Sequence, residues 1–194
     1  MSVSILSTIV GAVLNRSDKS PIIIAIDGPC TSGKTAFAKD IAKNYDCNVF
    51  HMDDFFLTPE RKTDERLAIP GGNVDWEGVK AQVLDPIMNG APFMHEIYDC
   101  KKNTYSRSKV FTPKRLNIVE GVYSMHPELI GYYDYTIFLD VKRNKQLERL
   151  RKRTPNDKMY KRFIDEWIPL EDRYFDAYNL RAKANISFDT TGVF

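Results

Sequence analysis

Pro21-Ile-Ile-Ile-Ala-Ile-Asp27, running straight into Gly28-Pro29-Cys30-Thr31-Ser32-Gly33-Lys34-Thr35, is the stretch on which the fold turns. The first seven residues form a short, β-branched apolar run, which predicts a buried strand rather than a helix. The next eight match G-x-x-x-x-G-K-[ST] in full. Its two glycines let the backbone wrap tightly and aim N–H groups inward, a geometry that suits phosphate oxygens. Thr35 to Asn44 reads as a helix whose positive end points at the same place. Lys34 is long enough to reach the outer phosphates of a nucleoside triphosphate, and the Thr35 hydroxyl is a ligand for Mg2+. Gly28, Pro29, Cys30, Thr31, Ser32, Gly33, Lys34 and Thr35 are therefore the expected nucleotide-binding residues.

Working outward, Cys47 to Met52, Leu116 to Gly121, Tyr135 to Asp140 and Ala184 to Asp189 read as four more strands of the buried type. Helices are expected over Trp76 to Met88, with Gly90 as the stop, over Lys142 to Arg153, and over Lys158 to Ala177. Pro70-Gly71-Gly72-Asn73 signals a loop. Strands alternating with helices at this spacing predict an α/β fold of the P-loop NTPase kind: a five-stranded parallel sheet with helices on both faces. Ligands on such sheets sit at the carboxyl ends of the strands, where Asp27, Asp53, Glu120 and Asp140 fall.

Composition narrows the partners. Among 194 residues, hydrophobic types make up 43%, charged types 28%, and the formal net charge is +2. That balance suits a single globular domain and is too small to indicate nucleic-acid binding, and no basic stripe interleaves with aromatics. Three cysteines, Cys30, Cys47 and Cys100, show no CxxC spacing, so neither a disulfide framework nor a zinc site is suggested, in keeping with a cytoplasmic location. Met1 to Leu14 is apolar but lacks a basic leader and a cleavage site and is too short to span a membrane. Ile5, Ile9, Val10 and Val13 recur at helical spacing, so residues 1–17 are expected to form an amphipathic helix packed on a kinase-like domain of residues 18–194. Nothing in the chain decides for or against a homo-oligomer.

Phosphoryl transfer needs carboxylates beside the phosphate loop. Glu120, ending an apolar strand, stands where an acid could hold Mg2+ directly or through water; a capping or loop role is the alternative. Asp53 and Asp54, in His51-Met-Asp-Asp-Phe-Phe56, leave a strand in opposite directions, so one of them is expected to face the phosphates. That one is a candidate base for the proton of an attacking hydroxyl. A turn role is the alternative for either. Arg149, Arg151, Lys152 and Arg153 form the one dense basic cluster, either a short lid that neutralises the transferred group or a solvated helix end favoured by the macrodipole.

With the phosphate loop, Asp53-Asp54-Phe55-Phe56 and Val119-Glu120-Gly121 in view, the chain from about Pro21 onward resembles the uridine kinase and phosphoribulokinase family of P-loop kinases. The resemblance implies an ATP- and Mg2+-dependent kinase acting on a hydroxyl of a small molecule, foremost the 5′-hydroxyl of a ribonucleoside. It implies Asp53 as catalytic base lying at the metal, Lys34 as its catalytic partner on the phosphates, and Thr35, Asp53 and Glu120 as the metal-side residues. Asn73-Val74-Asp75 resembles the family's N-F-D motif, whose Asp binds the ribose hydroxyls. Tyr98-Asp99 resembles its Y-D pair near the nucleobase, so Asp53, Asp75, Tyr98 and Asp99 are the expected substrate-binding set. Arg149 and Arg153 match the lid arginines best.

The chain departs from the pattern in one place. Pyrimidine nucleoside kinases carry a His a few residues after Y-D, whereas Cys100 to Arg107 contains none. The Asp-Asp-Phe-Phe wording is also similar to that of nicotinamide riboside kinases, so nicotinamide riboside or another small alcohol is the alternative acceptor. A GTPase switch would need an [NT]-K-x-D motif, which the chain lacks. A regulatory nucleotide-binding protein without catalysis is the non-enzyme alternative, and the joint presence of Lys34, Asp53 and Glu120 argues against it.

Overall fold

The computed structural model describes residues 3–99 and 102–193, with side chains from residue 8 onward. Ile5's side chain and the residues Cys100 and Lys101 lie outside the described residues. Five parallel strands form one sheet: β1 (Ile22–Asp27), β2 (Cys47–His51), β5 (Leu116–Glu120), β6 (Tyr135–Asp140) and β7 (Ile186–Asp189), in the order β2-β5-β1-β6-β7. β1 lies at the centre, paired with β5 from Ile22↔Leu116 and with β6 from Ile24↔Tyr135.

Burial on both faces explains why the inner strands β1, β5 and β6 are nearly continuous buried runs, whereas the edge strands β2 and β7 alternate. On one face Ile22, Ile24 and Ile26 pack with Phe37, Ala38 and Ile41 of helix α2 (Lys34–Asn44) and with Val10 and Leu14 of α1 (Val3–Asn15). On the other, Ile23 and Ala25 pack with Val79, Val83, Leu84 and Ile87 and with Tyr174. All six residues of β1 are buried. This is the α/β sheet with helices on both faces that the strand–helix alternation predicts.

Two helices are less regular than their periodicity suggests. The expected helix over 76–88 is built as α4 (Trp76–Val79), a π-helical turn (Lys80–Leu84) and α5 (Asp85–Asn89), ending at Gly90 with φ 74°. The expected helix over 158–177 is likewise α7 (Asp157–Arg162), a π-helical turn (Phe163–Trp167) and α8 (Ile168–Tyr178). In each case a proline, Pro86 or Pro169, stands two residues past the wide turn. Proline has no N–H for the carbonyl four residues back and its ring crowds that carbonyl, so the helix opens one turn earlier.

A second sheet has no counterpart among the expected strands: the antiparallel hairpin β3 (Glu96–Asp99) and β4 (Thr104–Arg107), registered Tyr98↔Tyr105. Its one aliphatic residue is Ile97 and every position of β4 is exposed, so it carries no apolar run to reveal it. The remaining helices are the short α3 (Asp64–Ala68), α6 (Arg143–Arg153) and α9 (Leu180–Lys183). Among the described residues no helix is long and apolar enough to cross a membrane.

Candidate active site

The site begins at the end of β1. Asp27 is fully buried and accepts hydrogen bonds from the Gly28 N–H (2.7 Å), the Met125 N–H (2.8 Å) and the Tyr174 hydroxyl (2.9 Å). Burial outweighs these donors and pushes its pKa up to about 6. The chain turns at Gly28 with φ 138°, and a Cβ there would lie 2.0 Å from the Leu139 carbonyl oxygen. Only glycine fits so close to β6 in that conformation.

The loop's outward groups are tied down. The Thr31 carbonyl accepts from Arg149 Nη1 (3.2 Å), the Ser32 carbonyl from the Thr190 hydroxyl (2.8 Å), and the Thr31 hydroxyl donates to the Gln146 carbonyl (3.1 Å). Helix α2 starts at Lys34, so the N–H groups of its first turn have no partner four residues back and stay available to an anion. Lys34 Nζ donates to the Gly28 carbonyl (2.7 Å) and the Pro29 carbonyl (2.9 Å), which places its ammonium over the first turn of the loop. The Ser32 hydroxyl is buried within the loop with no hydrogen-bond partner, a polar atom suited to a phosphate oxygen.

Glu120, 3% exposed at the end of β5, accepts from the Thr35 hydroxyl (2.9 Å) and shares a 2.6 Å hydrogen bond with His51 Nδ1. That bond raises the His51 pKa above its ordinary value. After Glu120, Gly121 passes with φ 138° where a Cβ would meet Met52 at 2.6 Å, so β5 and the turn after β2 sit against each other. That turn is not an extended strand end but a 3-10 turn, Met52–Phe55. Its tight winding sends the two aspartates apart. Asp54 Oδ2 lies 3.2 Å from His95 Nε2, whose ring stacks on Phe55. Asp53, an exposed residue, instead lies within the field of Lys34, Glu120, Arg153 and His51. The protein mass around its carboxylate and the Glu120 charge raise its pKa, while Lys34, Arg153 and His51 oppose them.

Asp75 approaches through the backbone, its N–H donating to the Phe55 carbonyl (2.7 Å) beside the Phe56↔Val74 bridge. One of its oxygens caps α4 by accepting from the Gly78 N–H (3.1 Å). Both oxygens also accept from Arg61, Nη2 at 2.8 Å and Nη1 at 2.5 Å, in a forked pair. Tyr105 of the hairpin stands within the field of both partners. Beneath the pair, Arg66 lies 3.1 Å over the Trp76 ring, which stacks at 4.2 Å on His126.

The other expected residues are distributed as follows. Tyr98 is buried, rests on Tyr105 (5.1 Å between ring centres) and donates its hydroxyl to Asn103. Asp99 accepts from the Lys102 N–H and shapes the hairpin turn. Arg149 directs its guanidinium to the carbonyls of Thr31, Thr190 and Thr191, clamping the loop to the segment after β7. Arg153, at the end of α6, presents its charge to Asp53. Asp140 pairs with Arg181 at 2.7 Å. The structure therefore gathers Lys34, Thr35, Glu120, Asp53 and Arg153 at one point, with Asp75 beside them and Tyr98-Asp99 on the separate hairpin. Motif reading passed over His51, Arg61, Gln146 and Glu171, because each sits outside any spacing pattern and gains its place only through contacts distant in sequence.

No family model matches the chain. Its relatives include a uridine-cytidine kinase C from Dictyostelium discoideum, 28% identical over 180 residues, 83% of this chain. The chain spans only 40% of that relative's length. A uridine kinase from Ureaplasma parvum serovar 3 is 26% identical over 179 residues, 86% of each protein. A solved structure described as a possible uridine kinase from Bacillus stearothermophilus superposes with a TM-score of 0.74 at 20% identity, over 96% of this chain and 97% of that one.

The sheet order, the loop after β1 and these matches define a P-loop kinase fold. Within that class the chain is similar to proteins named uridine-cytidine kinase and uridine kinase.

Proposed function

We propose that this protein transfers the terminal phosphoryl group of ATP to a hydroxyl of a small molecule, with a ribonucleoside 5′-hydroxyl as the leading acceptor. The observation that carries the reading is the gathering of Lys34, Thr35, Glu120 and Asp53 where β1, β2 and β5 end. Resemblance to relatives named uridine kinases supports the acceptor class.

The donors present fit Mg2+. The Thr35 hydroxyl and the Glu120 carboxylate are hard oxygen ligands already in contact, and Asp53 faces the same point. Among the described residues no group of three or more His, Cys, Asp or Glu side chains forms a metal cage. Mg2+ bound by one or two carboxylates together with substrate phosphates is the pattern that suits this set. When bound, the ion would neutralise charge on the phosphates. Lys34 binds the outer phosphates, Arg153 adds positive charge from the end of α6, and the N–H groups opening α2 hold the oxygens between them. Asp53 accepts the proton of the attacking hydroxyl, for which it must be ionised; Lys34, Arg153 and His51 favour that form. Asp54, engaged with His95, serves the turn rather than the reaction.

Nicotinamide riboside carries the same ribose diol and stands beside the nucleosides as an acceptor, whereas a small alcohol without a diol is favoured by one specific observation. Arg61 occupies both oxygens of Asp75, the carboxylate assigned to the ribose diol, so a diol must share that carboxylate with a guanidinium. The test is a panel of nucleosides, nicotinamide riboside and pantothenate, scored by ADP release with ATP and Mg2+. A preferred ribonucleoside whose KM rises in Asp75→Ala supports the leading acceptor; preference for an alcohol without a diol, unaffected by that change, overturns it. ADP release that survives Asp53→Asn for every acceptor overturns the assignment of the base.

A further inference from the structure

The Cys30 N–H of the phosphate loop donates to a side chain that comes from a distant part of the chain. The acceptor is Glu171 Oε2 on α8, at 2.8 Å, in a residue only 5% exposed. Gln146 of α6 holds the rest of Cys30, its Nε2 donating to the carbonyl (3.3 Å) and the thiol (3.2 Å). Glu171 is thus a buried acid inside the phosphate-binding machinery with no part in the transfer chemistry described above. Asp27, the other buried acid facing Lys34, is accounted for by its three donors.

We propose that Glu171 is a positioning residue of the phosphate loop, which holds the Cys30 N–H and takes up a proton when a nucleotide's phosphates engage Lys34. The inference rests on the nucleotide-binding reading of the loop. The groups facing Glu171 are Lys34 of α2, the Cys30 thiol in the loop, the Tyr123 hydroxyl after β5 and Asp172 on its own helix. Asp172 is paired with Arg143, which leaves Lys34 as the cation that matters. Burial already pushes the Glu171 pKa up to about 7 against the pull of Lys34. It also pushes the Cys30 thiol up to about 12, with the Glu171 charge as a further cause, so the thiol is a passive neutral neighbour at neutral pH.

Phosphates drawn into the loop act on Glu171 twice. They engage the Lys34 ammonium, and they bring negative charge close to a buried carboxylate. Both favour the protonated form, whose carbonyl oxygen still accepts the Cys30 N–H. Binding therefore consumes protons above the free-state pKa. By linkage, nucleotide affinity falls as pH rises above about 7, by up to about tenfold per pH unit for one full proton.

The test is calorimetric titration of the full chain with ADP and Mg2+ at about pH 7.5 in two buffers of different ionisation enthalpy, which counts protons taken up on binding. Wild type is expected to take up roughly half a proton more per ADP than Glu171→Gln. That variant keeps an oxygen for the Cys30 N–H but cannot titrate, so its ADP affinity should lose the fall with rising pH that wild type shows above about pH 7. Glu171→Ala removes the acceptor and should weaken ADP binding about tenfold. Equal proton uptake in wild type and Glu171→Gln overturns the proton assignment, and undiminished affinity in Glu171→Ala overturns the positioning role. Wild type that binds no ADP overturns the nucleotide reading and this inference with it, whereas ADP binding without a Glu171-dependent proton overturns this inference alone.

Discussion

The phosphate side and the acceptor side of this site are built in opposite ways. On the phosphate side the proposed binding groups are main-chain N–H groups, and their positions follow from a central strand with every residue buried and from a loop whose carbonyls are clamped by Gln146, Arg149 and Thr190. On the acceptor side the groups are side chains carried by short elements: a four-residue 3-10 turn, the Arg61–Asp75 fork and a hairpin with an exposed outer strand. Arg61's side chain is 45% exposed and its partner's 16%. The first arrangement tolerates almost no backbone change but little depends on which side chains fill it. The second can be rewritten by single side-chain substitutions without disturbing the sheet. On the proposed function, the difference teaches where identity would reside: phosphate binding in the fold, and acceptor choice in a few surface-borne residues.

Four measurements would break or sharpen that contrast. Asp53→Asn should lower kcat by about a thousandfold while leaving ADP affinity nearly unchanged, since it removes a base and keeps the shape; a coupled ADP-release assay and calorimetry read the two quantities. Gly28→Ala should destabilise the chain by about 3 kcal/mol, because a Cβ 2.0 Å from the Leu139 carbonyl forces β1 and β6 apart. Its denaturant midpoint would fall, and the shift in Tm that ADP gives wild type would be lost. A Gly28→Ala protein that binds ADP normally would mean that the loop is less constrained than its geometry implies.

The third measurement concerns the support beneath the acceptor side. His126 is buried against Trp76 and Tyr174, and burial lowers its pKa to about 4. The unfolded chain binds a proton at this residue near its ordinary value, so between about pH 6.5 and 4 the unfolded state holds more protons than the folded one. Stability is then lost as pH falls, by about 2 kcal/mol on going from pH 7 to pH 5. His126→Phe should flatten that part of the profile in urea unfolding while keeping a ring on Trp76. The smallest effect is expected at the exposed fork. Arg61→Ala and Asp75→Ala should each change the acceptor KM by about tenfold, and stability by no more than about 1 kcal/mol, since an exposed ion pair contributes little. If either change weakened ADP binding as much as it altered the acceptor KM, the two sides would not be separable.

Legibility followed the same division. The three inner sheet strands could be read from apolar runs, because burial on both faces leaves little polar alternation to confuse them. The loop Gly28–Thr35 could be read because its chemistry requires glycines and a lysine at fixed spacing. The hairpin could not: Glu96-Ile-Tyr-Asp99 and Thr104-Tyr-Ser-Arg107 bury one tyrosine between them and carry no strand signal. The π-helical turns ahead of Pro86 and Pro169 left the helical period intact, so only their prolines hinted at them. Asp53 and Asp54 are chemically identical neighbours, and what distinguishes them is a 3-10 turn that aims one at His95 and the other at Lys34.

By itself the amino-acid order determined that this chain makes a parallel α/β sheet with an anion cradle after its first strand, since local patterns of branching, glycine and charge suffice for both. Only the tertiary structure decided that Arg61 covers Asp75, that His51 supports Glu120, and that Glu171 reaches the loop from a helix near the other end of the chain. Those pairings join residues far apart in sequence, and nothing short of the packed sheet and its helices brings them within hydrogen-bonding distance.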